Sequence, residues 1–351
     1  MSLVNTLMQP LINMYDGQLD SNERRFAEYG FWDFAQTTGR SANSVLSAQN
    51  RQIAENSYGI TAKIPVLNYD QVTIGSSYSC TVGEVESTTD KITITYTPYS
   101  FGFTMFPSQY MNSGQAMNYV AYEQDWQAKM THCLLSFMEV LDTSVINAVE
   151  AAKNTYWAPN IANYYPETGD ALQVAAAQED DFYNQFSAIM REMRFNKPTH
   201  ICGGISLLPK VNRLKNQSSQ NAVNQSFQLD PYKWHTSNFV TNATGIRSTL
   251  YGIQEGQIAV TNRNAPTFRN KQKIGMDLYE WDLVTLPIAG IQVGSFYKQE
   301  CADSTGKAAV AETATVKESF GFNTEVAIIT TYNSSPSTNE NPFVKVQISA
   351  S

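Results

Sequence analysis

Charge is scarce in this sequence. Only 16% of its 351 residues are Asp, Glu, Lys or Arg, against about 25% in an average soluble domain. A surface so poor in charge must be built from Asn, Gln, Ser, Thr and Tyr, and it suits broad polar contact with other subunits. The net charge is −8, so the chain as a whole lacks the basic field that grips nucleic acid. One stretch runs the other way: Arg263, Arg269, Lys271 and Lys273 follow one another with no acidic residue between. A solvated loop is the plain reading of such a run.

Histidine and cysteine are equally thin. His132, His200 and His235 are the only histidines, and Cys80, Cys133, Cys202 and Cys301 lie far apart with no CxxC pair. That spacing excludes a disulfide framework and the usual zinc sites, and it fits a reducing compartment. His200-Ile201-Cys202 places a base and a thiol at i and i+2 on one strand face. A packed strand before a glycine turn accounts for the same residues. "CGGIS" lacks the lysine and the length of a phosphate loop. Glu179, Asp180 and Asp181 open a helix, where the macrodipole favours carboxylates. The reading therefore predicts no catalytic residue, no cofactor and no metal.

No apolar run approaches the roughly 18 residues of a membrane span. The opening residues, MSLVNTLMQPLINMYDGQ, have neither the basic start nor the apolar core of a signal peptide, which predicts a chain made in a cytoplasm.

Apolar and aromatic residues are plentiful, at 42% and 12%, enough for a sizeable core, and 351 residues suffice for one large or two ordinary domains. Residues 1–50 are polar with short apolar patches (Leu11, Ile12, Met14; Phe31, Trp32, Phe34), as in an arm that packs on something else. Short β-type pieces follow: "ITAKIPVL", "QVTIG" and "SYSCTVG". In "KITITYTPYSFGFTMF", Ile92, Ile94 and Tyr96 alternate with threonine. After Pro98 the phase slips and Phe101, Phe103 and Met105 alternate instead. A strand that switches faces at a proline should bend or bulge there.

The longest signal comes next. Asn112 with Gln115 resembles a capping box, and no proline or glycine interrupts from Gln115 to Tyr156. Apolar residues recur at helical spacing: Tyr119, Val120, Trp126, Met130, Leu134, Phe137, Leu141, Val145 and Ile146, with Met138 and Val149 on the same side. The pattern predicts a helix of roughly 40 residues and about 60 Å, ending at 154–159. Mean helices have about 12 residues, so this one is a scaffold element.

Downstream, Phe182, Phe186, Ile189, Met190 and Met193 line an amphipathic helix stopped by Pro198, "THICGG" reads as a buried strand, and "SLLPKVNRLKN" as a short helix. "NQSSQNAVNQSFQ" reads as a surface loop. "STLYGI", "QIAVT", "MDLYEWDLVTL", "AGIQVGSFY", "TEVAIITT" and "FVKVQIS" read as strands. "SFGF" occurs at Ser100 and again at Ser319, too short a match to be a repeat.

This order of elements resembles the major capsid proteins of tailed bacteriophages, whose fold encapsulin shells also use. The resemblance rests on "ITITYTPYSFGFTMF" running into "SQYMNSGQAMNYV", on the apolar-Asp-x-x-apolar segment Leu141-Asp142-Thr143-Ser144-Val145-Ile146, and on "DDFYNQFSAIMREM" followed by "PTHICGGISLLPKVNRLKN". It implies an α+β fold with an N-terminal arm and the start of the peripheral domain (1–50), an extended β-loop (51–95), the peripheral domain with a long spine helix (96–160), an axial domain (161–318) and C-terminal strands that return to close the peripheral sheet (319–351). It implies hexamers and pentamers of the chain in an icosahedral shell, with scaffolding, portal and decoration proteins as possible partners. DNA would be enclosed without sequence-specific contact or membrane, in a virion assembled in the host cytoplasm.

Only about 50 arm-like residues precede the β region, which implies a separate scaffolding protein or an already mature chain. Some relatives cross-link a loop lysine. Lys63 and Lys91 are present, but no motif marks a partner, so no cross-link is predicted. An encapsulin compartment, or a cytoplasmic α/β hydrolase with a dispersed site, would be the rival readings.

Overall fold

The structure, a computed structural model, describes residues 7, 27–41, 44–57, 61–67, 89–111, 117–195, 200–219, 232–264, 279–302, 315–331 and 340–350. The expected pieces "QVTIG" and "SYSCTVG" lie outside these residues, as do most of the arm, Arg269, Lys271 and Lys273.

Two short helices, α1 (Gly30–Gly39) and α2 (Ala48–Asn56), precede the first described strand. The long helix α3 spans Tyr119–Ala151, 33 residues, or about 50 Å. It is shorter than the sequence pattern suggests: its cap is Asn118, whose side chain accepts a hydrogen bond from Ala121 N at 3.2 Å, and the expected capping box, Asn112 with Gln115, lies outside the described residues. Its apolar stripe also starts later. Tyr122, Trp126, Met130, Leu134, Phe137, Met138, Leu141, Val145 and Val149 are buried and Ile146 is partly so, but Tyr119 and Val120 are 72% and 65% exposed. The helix stops at Ala151, and Asn154 N then bonds to Phe343 O at 2.8 Å, tying the exit to the last strand.

The described strands divide into three sheets. β1 (Thr61–Leu67) and β2 (Thr89–Thr95) form an antiparallel two-stranded ribbon, with Thr61 opposite Thr95 and Leu67 opposite Thr89. β3 (Thr97–Met105) belongs to a five-stranded antiparallel sheet. Its centre is the 16-residue β12 (Thr315–Thr330), flanked by β3 on one side and by β11 (Gln292–Ala302) and then β9 (Ile258–Arg263) on the other. β10 (Tyr279–Thr285) adds to β11.

The mixed six-stranded sheet runs β4 (Glu167–Thr168), β5 (Ala171–Val174), β13 (Phe343–Ser349), β8 (Ile246–Ile253), β6 (His200–Gly204), β7 (Lys233–Ser237). Helix α4 (Glu179–Glu192) covers it through Phe182, Phe186, Ile189 and Met190, which share one buried cluster with Leu250, Val344 and Val346. α5 (Leu208–Ser219) follows β6, with Pro209 in its first turn, so it takes in the start of the stretch expected as a surface loop.

The strand pairings correct one expectation. β12 joins the sheet that holds β3, but β13, expected beside it among the C-terminal strands, lies between β5 and β8 in the other sheet. Conversely β9, β10 and β11, expected with α4 and α5, belong with β3 and β12. Alternation at Val344, Val346 and Ile348 specifies a strand with one buried face; it carries no information about which strand lies beside it.

Candidate assembly elements: the long helix, the ribbon and their anchors

The long helix sits on an aromatic ladder. Across β3 and β12, Phe101 faces Phe322, Gly102 faces Gly321 and Phe103 faces Phe320. The two "SFGF" stretches are thus paired antiparallel. Phe101 stacks on Phe322 with centroids 5.2 Å apart, and Phe103 on Phe320 at 5.4 Å. The helix meets this row with Phe137, 4.9 Å from Phe101, and Trp126, 5.7 Å from Phe103. Such ring pairs contribute about 0.5–1.5 kcal/mol each beyond simple burial. The glycines face the other way. A Cβ on Gly321 would run into the Phe296 ring, and one on Gly102 into the Phe320 carbonyl. Together these contacts seat the helix on one face of the β3–β12 pair.

Asp142, in the middle of α3, is 0% exposed. Its carboxylate accepts from Trp32 N at 2.8 Å and from Ser237 Oγ at 2.6 Å, with the Phe31 backbone as a further partner. Phe31 and Trp32 open α1, so a negative group meets the free N–H donors and the positive end of that helix. Ser237 ends β7. One side chain therefore joins three elements distant in sequence. Burial pushes the Asp142 carboxyl up to about 6, against the lowering effect of these hydrogen bonds. Nearby, Trp32 Nε1 donates to Ala289 O at 3.1 Å, and Tyr29 bridges to Ser237.

The ribbon joins the body at a break in the strand. Ile92 is partly buried and Ile94 and Tyr96 are buried, then Thr97 and Pro98 are exposed, and Tyr99, Phe101, Phe103 and Met105 turn inward. The inward face thus changes, with the break in pairing at Tyr96, two residues before Pro98. The strand also changes partner there, from β1 to β12. A small buried cluster of Leu46, Ala54, Ala62, Ile64, Ile94 and Tyr96 packs at this base against Ala259, Ala327 and Ile329.

Arg263 lies here too, and not in a solvated loop. It is buried at the end of β9, with Nε 2.6 Å from Glu325 Oε2. Its neighbours in sequence gave no sign of this, because the carboxylate that receives it is 62 residues away.

The residues considered for chemistry have structural partners. His200 Nδ1 and His235 Nε2 are 3.0 Å apart on the parallel pair β6–β7, and both rings pack on Phe34. Burial pushes both imidazoles down to about 4, helped by Lys233 at His200 and by His200 and then Lys233 at His235. Cys202 is fully buried, and burial, followed by the charge of Asp142, pushes its thiol well up. A thiol held protonated and away from solvent is not an activated nucleophile. Glu179 accepts from Arg247 and from Tyr183, and Asp180 pairs with Lys210 and Arg213, so the acidic helix start is charge-balanced. Among the described residues no group of three or more His, Cys, Asp or Glu could hold a metal ion, and no helix is long and apolar enough to cross a membrane.

No family model and no curated protein matches the sequence. Solved structures do. A structure of Mycobacterium phage Che8 is 8% identical, with a TM-score of 0.50 over 95% of this chain and 94% of that one. The capsid of Ralstonia phage GP4 matches at 9% identity and a TM-score of 0.48, covering 95% and 94%. The capsid of Myoviridae phage XM1 matches at 9% identity and a TM-score of 0.42, covering 94% of each. Identity this low speaks for fold alone, and the Che8 structure carries that inference: over nearly its whole length the chain has the α+β fold of a phage structure, the fold class expected from the order of its elements.

Proposed function

We propose that this chain is the major capsid protein of a tailed bacteriophage and that its work is structural. It would assemble through hexamers and pentamers into an icosahedral shell around the genome, completed in the host cytoplasm. The observation that carries this reading is the pairing of a rod about 50 Å long with a β-ribbon that leaves the sheet edge, in a fold shared across 95% of the chain with the Che8 phage structure. A two-stranded ribbon is marginal in water unless its outer part finds a surface to cover. Neighbouring subunits supply that surface in a symmetric shell.

On this reading α3 with the β3–β12 sheet forms the peripheral domain. The six-stranded sheet with α4 and α5 forms the axial domain, β1–β2 the extended loop, and the residues before α1 the arm. The spine residues Trp126, Met130, Leu134, Phe137, Leu141, Asp142, Val145 and Ile146 keep the tile rigid. Ile92, Ile94, Tyr96, Pro98, Phe101 and Phe103 carry the loop into the sheet. The net charge of −8 leaves enclosed DNA free to slide past the shell wall. Scaffolding, portal and decoration proteins are the candidate further partners in this role.

Sedimentation of the purified chain tests the reading. Particles of many subunits that carry DNA and tails when taken from infected cells are the expected result. Closed shells without either would point to a protein compartment instead. A stable 39.1 kDa monomer that turns over simple esters would overturn it.

A further inference from the structure

We propose that Arg263 is the positioning residue that sets the angle at which the β1–β2 ribbon leaves the body of the protein. Four contacts converge on its guanidinium. Nε donates to Glu325 Oε2 at 2.6 Å, on the stretch of β12 where β9 and β3 both pair. Nη1 donates to Ser57 O at 2.9 Å and to Ser57 Oγ at 2.5 Å. The guanidinium carbon lies 3.9 Å from the centre of the Tyr96 ring.

These partners have a topological meaning. Ser57 caps α2, just before the chain enters β1. Tyr96 is the break between β2 and β3, where the chain leaves the ribbon. One side chain therefore holds a residue on the approach to β1 and the residue where the chain leaves β2, and is itself fixed to the central strand of the sheet.

The apolar cluster at the base keeps the ribbon close but is poor at fixing its direction, since burial of apolar surface is non-directional. A guanidinium fork differs. It is planar, it donates along set directions, and it stacks on a ring at the same time. The side chain is 2% exposed, so solvent does not screen these contacts as it would a surface pair. Lysine would keep the charge and could reach Glu325 or Ser57, but it cannot bridge both with fixed geometry while lying flat on Tyr96. The importance of the angle for assembly rests on the shell reading above; the positioning role itself does not.

The test is a distance measurement on the full chain. Spin labels are attached through noncanonical ketone residues at position 63, exposed on β1, and position 140, exposed on α3. Pulsed electron paramagnetic resonance should give one narrow distance distribution for the wild type. The distribution should broaden at least twofold in R263M, and less in R263K, while α3 and the six-stranded sheet keep their amide protection. A folded R263M with the wild-type distribution would overturn the proposal. Should R263M fail to fold, a wild-type distribution in R263K would overturn it equally. A wild-type chain that forms no shells would sink the capsid reading and leave this measurement to judge Arg263 on its own.

Discussion

Replacing Asp142 probes the joint between the long helix, α1 and β7. In Asp142→Ala the Trp32 N–H and the Ser237 hydroxyl lose their acceptor while both residues remain 0% exposed. A buried donor without a partner costs about 1–3 kcal/mol, so the expected loss is about 4 kcal/mol for the two. With 351 residues and an unfolding entropy of about 2.1 cal/mol/K per residue, that is a fall in Tm of roughly 5 °C.

Asp142→Asn separates charge from shape. Asparagine keeps an acceptor oxygen for Trp32 N–H but cannot titrate. The Asp142 carboxyl sits at about 6 in the folded protein against an ordinary 3.8, so the folded state holds this proton more tightly than the unfolded chain. The resulting stability, about 3 kcal/mol at most, is complete below the unfolded value and is lost as pH rises through the folded one. Scanning calorimetry should therefore show a wider Tm gap between wild type and Asp142→Asn at about pH 5 than at about pH 7.5. Amide exchange should show residues 30–39 opening first in Asp142→Ala. An Asp142→Ala protein that melts within about 1 °C of wild type, with α1 still protected, would refute the reasoning.

Other perturbations reach different parts of the account. His200 and His235 both sit at about 4 when folded, below the ordinary 6.5, so they contribute stability at neutral pH that drains as pH falls through that window. His235→Phe should flatten the acid limb of a Tm-versus-pH curve, and an unchanged limb would exclude the pair as its cause. At Gly30 an added methyl would land on the Thr236 backbone. Gly30→Ala should thus cost about 1–3 kcal/mol by displacing α1, measured by urea denaturation. Replacing residues 68–88 with a short turn should leave both large sheets folded and abolish shell assembly, and closed shells from this variant would show that the excursion is dispensable. Tyr119→Ser with Val120→Ser should leave Tm unchanged, because both side chains face solvent, while slowing assembly followed by light scattering.

Much of this architecture was legible in the sequence because it depends on periodicity. The stripe from Trp126 to Val149, the alternation in β13 and the change of face between Tyr96 and Tyr99 are local patterns with a local physical cause. The ends of the helix were less legible. Tyr119 and Val120 continue the apolar spacing, yet the sheet beneath α3 gives them nothing to cover. Strand partners were hidden for a similar reason, since β13 would read the same beside β12 as beside β8.

The anchors were the least visible parts. Asp142 was visible as the carboxylate of the Leu141–Ile146 segment, but its partners on α1 and β7 were not. Arg263 resembled its basic neighbours until β12 brought Glu325 to it. His200 and His235 meet because β6 and β7 run parallel in a register that no short motif announces. The "SFGF" match was the opposite case, a weak signal whose meaning emerged once the two copies were seen facing each other across β3 and β12.

The central claim is that this chain builds a shell, and electron microscopy of the purified protein tests it most directly. The account predicts closed, angular particles of uniform diameter whose walls resolve into hexameric and pentameric units, with α3 lying along the wall. Dispersed monomers or small oligomers, under conditions where the chain is folded, would contradict it.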